Sequence, residues 1–287
     1  PAGNPVPSYW LANWALVACA VAVRVRGRGP GSWRDIEWPS VGVLPWVVLT
    51  LLSGLTLLQL FVAGRKPIMS VDAMLYHAPT AAHIVSTNSL WSWVPVSYYS
   101  FYPDLLAVQA AGIFEATGSV RFMDAVQTPF FLIFALTTWV WAGNGRPRRI
   151  PSALAVLVLA IPALYANARV FYVDVAFGAV LLAALWLLGR WITTRDSRWL
   201  PLAAILFGAT ASIKPSGAPV LVLASIVVLA LGVARSRLRP SLWFCATAGV
   251  VAAPFYLRNL FEFQNPFYPL SVGIPGIKFE GELTVDS

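Results

Sequence analysis

The spacing of its charges limits what this chain can fold into more than any other feature. Eight runs of roughly 15 to 25 residues are nearly free of Asp, Glu, Lys and Arg, and four of the loops between them each hold several arginines. The runs cover 9–23, 39–63, 123–142, 152–168, 173–189, 199–213, 217–234 and 241–257. A hydrocarbon layer about 30 Å thick needs about 20 apolar residues in helical form, and shorter runs suffice inside a bundle. Of 287 residues 58% are hydrophobic and 11% charged, against roughly 25% charged in an ordinary soluble domain. The expected fold is therefore all-α, a multi-pass integral membrane helix bundle. The arginines that follow 9–23 stand on the wrong side for a secretory signal, so this run too reads as a membrane helix.

Orientation follows from where the basic residues fall. Arg24, Arg26, Arg28 and Arg34 share one loop, Arg146, Arg148 and Arg149 a second, Arg190, Arg195 and Arg198 a third, and Arg235, Arg237 and Arg239 a fourth. If the runs alternate, all four loops lie on one side, which is then cytoplasmic. Nine of the twelve acidic residues, Asp72, Asp104, Asp124 and Asp174 among them, fall on the other side or at its border. Carboxylate chemistry is therefore expected outside. Pro1 also starts outside on this alternation, and position 1 is not Met, so the chain reads as part of a longer one. The net charge of +8 is spread over loops and forms no basic face, which argues against nucleic acid. Cys19 and Cys245 sit in separate apolar runs with no metal or disulfide spacing.

Four regions follow. Residues 1–64 give two helices around a basic loop, 65–121 an external loop, 122–258 a six-helix region and 259–287 the start of a further external segment. The external loop is amphipathic and juxtamembrane in character. Val71–Ser86 and Pro103–Ala116 read as surface helices, and its tryptophans and tyrosines suit the headgroup level.

Within that loop, Ser70-Val71-Asp72-Ala73-Met74-Leu75-Tyr76-His77 directly follows an outward-running helix. Tyr102-Pro103, Arg121, Tyr172-Val173-Asp174, Ser212-Ile213-Lys214, Arg258-Asn259 and Asn265-Pro266-Phe267-Tyr268-Pro269 come after it in order. Over roughly residues 39–270 the series resembles the GT-C membrane glycosyltransferases, which include protein O-mannosyltransferases and aminoarabinose transferases. That resemblance implies a polyprenyl-phosphate sugar donor, transfer on the outer leaflet and a catalytic base in the first external loop. Many members carry two adjacent acids where this chain has Asp72-Ala73, and Asp104 stands where a small or apolar residue is usual.

The residues can be read for the chemistry such transfer needs. An attacking hydroxyl or amine must lose its proton to a positioned carboxylate, and Asp72 is the candidate; its other reading is a helix N-cap. Tyr76 and His77 are candidate substrate-binding residues. Asp174, at the mouth of a run, binds acceptor or metal, or else caps its helix beside Arg169. A departing phosphate needs a cation nearby, a role for Lys214 and Arg258, whose alternative is reaching from helix ends into headgroups. Asp72 and Asp174 are the candidate ligands if a divalent cation, Mg or Mn, takes part. His77 and His83 stand five and eleven positions after Asp72, off the four-residue spacing of two ligands on one α-helical face, so zinc is not expected. Arg121 and Asp124, three apart, are expected to pair.

The reading that follows is an inverting glycosyltransferase that uses a polyprenyl-phosphate sugar and a lipid, glycan or protein acceptor. It works among the lipids of a bacterial plasma membrane with its site facing outside. One alternative is a transporter or flippase of lipid-linked or small polar solutes, with Asp174, Lys214 and Arg258 along the path. Transporters keep such groups near the midplane of internal repeats, whereas here they stand at external ends and no repeat is visible. The second alternative is a polysaccharide polymerase or ligase with a diphosphate-linked donor.

Overall fold

The computed structural model describes residues 43–68, 70–91, 98–143, 154, 157–158, 161–274 and 277–283. The run at 9–23, the loops holding Arg24 to Arg34 and Arg146 to Arg149, and part of 152–168 lie outside these residues. The chain is an all-helical, multi-pass integral membrane protein. Among the described residues four rods are long and apolar enough to cross a bilayer: Val120–Gly143, Asp174–Thr194, Gly217–Ala234 and Leu238–Phe263.

In chain order, helix α1 spans Val43–Arg65. A π-helical turn at Ala73–His77 leads into α2, Ala78–Thr87. After a short 3-10 turn at Tyr98–Phe101 comes α3, Leu105–Thr117. A 3-10 segment, Val120–Gln127, runs straight into α4, Thr128–Gly143. The short α5, Pro162–Asn167, precedes α6, Asp174–Thr194. The last three helices are α7, Leu200–Ile213, α8, Gly217–Ala234, and α9, Leu238–Phe263. A small antiparallel hairpin, β1 (Val272–Ile274) with β2 (Ile277–Phe279), closes the described chain.

Helix α7 is only 14 residues long, yet it occupies the centre, packed by α6, α8 and α9. Ala203, Ala204, Phe207, Gly208, Ala211 and Ile213 are all buried, so protein shields it from lipid and full spanning length is not required. Small residues set the spacing. A Cβ on Gly208 would collide with the Ala248 carbonyl of α9, and one on Gly217 with the Thr210 carbonyl in the turn joining α7 to α8. Pro254 inside α9 cannot donate to the backbone one turn back. The Ser212 hydroxyl of α7 donates to the Val251 carbonyl of α9 at 3.1 Å, a polar contact between the two helices.

The run of helices α6 to α9 puts two kinds of loop at opposite ends. Asp174, Lys214 to Gly217 and Phe263 share one end, and the arginine loops 195–198 and 235–239 share the other. At the arginine end Arg237 Nη1 donates to the Arg195 carbonyl, and Arg235 Nη1 to that of Ile192.

Helix α3 departs from the surface placement expected for Pro103–Ala116. Leu106, Ala107, Val108, Ala110, Ala111 and Gly112 are buried, and they join Ala81, Ile84, Met123, Phe171 and Phe255 in one core cluster. Its inward face is made of alanines, which lets α2 and the Val120–Gln127 segment approach closely. The hairpin was not foreseen from sequence, since each strand is three residues long and shows no alternation.

Candidate functional site

The segment entering α6 is built by two side chains from the Val120–Gln127 turn. Gln127 is fully buried, and its Oε1 accepts from Val175 N at 2.9 Å and Ala176 N at 3.2 Å, satisfying donors of the first turn of α6. Its Nε2 donates to the Asn167 and Val170 carbonyls at 2.7 and 3.0 Å. Asp124 Oδ1 accepts from Phe171 N at 3.0 Å. The expected pair of Asp124 with Arg121 does not form: Arg121 is exposed, while Asp124 is 7% exposed and bonded to backbone. A buried carboxylate gains more from an amide fixed beside it than from a flexible cation in water.

Next to this anchored segment lies a cavity of about 290 Å³. Asp72, Tyr76, His77, Asp174 and Lys214 all line it, together with Tyr102, Pro103, Asp104, Tyr172, Ile213 and Leu270. Five of the six residues singled out from sequence thus meet in one space, from segments as far as 142 positions apart along the chain. The ordered motifs Tyr102-Pro103, Tyr172-Val173-Asp174 and Ile213-Lys214 each contribute wall.

Asp72 begins the π-helical turn, but its side chain makes no capping bond. In a π turn the hydrogen bond closes over five residues, not four. Asp72 and His77, five apart, are therefore in register and line the same cavity, which an α-helical spacing rule would not give. Burial first, and the Asp72 carboxylate second, push the Tyr76 phenol up well beyond the ordinary tyrosine range.

Also on the cavity wall, Lys214 Nζ pairs with Asp174 Oδ1 at 2.6 Å, with 40% and 52% of the two side chains exposed. Asp174 thus pairs with Lys214 and not with Arg169, the partner expected in the capping alternative. Lys214 ends α7 with extended backbone and Asp174 opens α6, so the pair fastens two neighbouring helices at the cavity rim.

Arg258 does not line the cavity. It is 8% exposed, and its Nη2 donates to the Phe101 carbonyl at 2.7 Å, a carbonyl that Asn259 Nδ2 also reaches at 2.9 Å. Asn259 Nδ2 further donates to the Tyr268 carbonyl at 2.9 Å. Neither a snorkelling group nor a phosphate ligand in this arrangement, Arg258 holds the Phe101–Asp104 stretch against α9.

That stretch carries the residue sequence reasoning missed. Asp104 is 6% exposed, and its Oδ1 accepts from Ala107 N at 2.9 Å as the N-cap of α3. Its Oδ2 meets His77 Nδ1 in a buried contact. An Asp before an apolar helix is a visible capping signal, but nothing in the sequence brings it to a histidine 27 positions earlier.

Among the described residues no three His, Cys, Asp or Glu side chains are grouped to hold a metal ion. Asp174, one of the two carboxylates expected to share a divalent cation, is already engaged by Lys214. The donor set does not fit such a centre.

The fold and site define a class: a multi-pass membrane protein with a cavity at the end of the bundle away from the arginine loops 195–198 and 235–239. No family model, curated protein or solved structure matches this chain.

Proposed function

We propose that this chain is a polyprenyl-phosphate-sugar-dependent glycosyltransferase of a bacterial plasma membrane, with its cavity on the outer side. The reading rests on one observation above others: Asp72, Asp174 and Lys214 line a single cavity at the end opposite the arginine loops. A carboxylate and a cation on one cavity are the two groups such a transfer needs.

In this reaction an acceptor hydroxyl or amine attacks the anomeric carbon of the donor. The new carbon–oxygen or carbon–nitrogen bond forms as the bond from that carbon to the phosphate oxygen breaks, and its electron pair leaves with the polyprenyl phosphate. Asp72 takes the acceptor's proton. Lys214 offsets the charge gathering on the departing phosphate as a compact cation, and Asp174 holds that ammonium in place. Attack opposite the leaving group in one step inverts the anomeric centre. The acceptor is a lipid, glycan or protein.

The test is to reconstitute the protein with a panel of polyprenyl-phosphate sugars and a crude acceptor fraction and to measure free polyprenyl phosphate. Wild type should release it and Asp72→Asn should not, with both inserted equally in the membrane. Normal turnover in the variant would remove Asp72 as the base. No release from any donor, with solute or lipid crossing the bilayer instead, would replace this reading by a transporter.

A further inference from the structure

The His77–Asp104 contact is left without a task by the reaction just described. His77 is 3% exposed, yet its ring lines the cavity. One face stacks on Phe171, with centroids 5.1 Å apart and planes at 23°, and Tyr76 lies 4.1 Å away at 45°. Phe171 is itself fixed by the bond from its N–H to Asp124. Asp104 is held through Ala107 N on one oxygen and by the Arg258 and Asn259 grip on the preceding Phe101 carbonyl. The imidazole is clamped from three directions.

The clamp also sets the proton. A carboxylate can only accept, so Nδ1 of a ring bonded to Asp104 carries the hydrogen. In the neutral imidazole Nε2 is then a lone-pair acceptor. No partner for Nε2 is found among the described residues.

We propose that His77 receives the acceptor substrate, its Nε2 accepting a hydrogen bond from an acceptor hydroxyl or amine next to the one that attacks and gives its proton to Asp72, and that Asp104 is the positioning residue that fixes the ring for this. The inference rests on the transferase reading and assigns the two substrates to different groups on the cavity wall. Phosphate oxygens offer lone pairs and are repelled by a neutral Nε2, but are drawn to Lys214. A hydroxyl or amine N–H is a donor and is matched by Nε2. The same cavity thus sorts donor phosphate from acceptor by hydrogen-bond polarity alone.

Asp104→Asn tests this sharply. Ala107 N–H requires an oxygen at the capping position, so the amide of the variant turns its NH2 toward His77. Nδ1 must then accept, and the hydrogen moves to Nε2. The 287 residues contain two histidines, His77 and His83, so 15N-histidine NMR of this chain in lipid nanodiscs gives two ring systems, and His83→Gln assigns them. Wild-type His77 should show a protonated Nδ1 and an unprotonated Nε2 whose signal moves saturably with at least one member of a monosaccharide panel and not with inorganic phosphate. Asp104→Asn should show a protonated Nε2 and lose the sugar response, while binding polyprenyl phosphate as wild type does. Once an acceptor is in hand, its KM should rise about tenfold or more in the variant with the donor KM unchanged.

An imidazolium that responds to phosphate, a His77 signal that no sugar moves, or a sugar response intact in Asp104→Asn would each overturn the proposal. Loss of polyprenyl phosphate binding in the variant would do the same, since Asp104 would then serve the donor side. A wild type that releases no polyprenyl phosphate from any donor would sink the transferase reading, while the NMR result would still decide separately whether His77 binds sugar hydroxyls.

Discussion

Lys214 and Asp174 face each other with about half of each side chain in solvent. A pair so exposed contributes little to stability, roughly 0 to 1 kcal/mol. Its place on the cavity wall is better explained by ligand binding. Lys214→Met should therefore leave the melting temperature of the purified protein within a few degrees of wild type. Its affinity for polyprenyl phosphate, the product common to every donor of the class, should fall by about tenfold or more. Quenching of intrinsic tryptophan fluorescence by added polyprenyl phosphate measures the affinity. An unchanged affinity would leave Lys214 as a helix fastener only. At this scale sequence reasoning found residues but misjudged partners. Asp72, His77, Asp174 and Lys214 were legible because ionisable groups beside apolar runs are costly and few. Arg258 carried the same signature, yet it is used inside the protein, since a guanidinium with five donors serves a backbone carbonyl as well as it serves a phosphate.

The helix N-terminus at Asp174 depends on Gln127, whose amide makes four bonds to backbone across a separation of 40 to 49 residues. Gln127→Leu keeps the volume but leaves those donors and acceptors without partners. A cost of roughly 3 kcal/mol or more follows, and a clear drop in melting temperature should accompany a loss of turnover, because both Asp174 and the Phe171 support of His77 rest on this segment. A variant as stable as wild type would show that water replaces the amide there. Long apolar helices such as α8 and α9 were plain in the sequence, because lipid demands an unbroken apolar run. The π-helical turn was not. Its register depends on Asp104, Phe171 and Tyr99 packing around Tyr76 and His77, contacts that no local pattern reveals. The burial of α3 was hidden for a similar reason: a short alanine-rich helix carries no stripe to tell a membrane surface from a crowded interior.

Across the whole molecule, the cavity and the arginine loops stand at opposite ends, which fixes where each must face if the basic loops are cytoplasmic. With Cys19 and Cys245 replaced by Ser, Lys278→Cys in the hairpin should react in intact cells with a membrane-impermeant maleimide. Arg239→Cys, exposed at the other end, should react only after the cells are opened. The reverse pattern would turn the cavity inward and end the outer-leaflet reading.

One contact joins that scale to the smallest. Arg258 and Asn259, on one turn of α9, hold the Phe101 carbonyl, and Asn259 also holds that of Tyr268. Through Phe101 they reach Tyr102, Pro103 and Asp104, and through Tyr268 they reach Leu270, so two walls of the cavity hang from a single helix that crosses the bilayer. Helices adjust their tilt to the thickness of the lipid around them. Anything that tilted α9 would therefore carry both walls of the cavity with it.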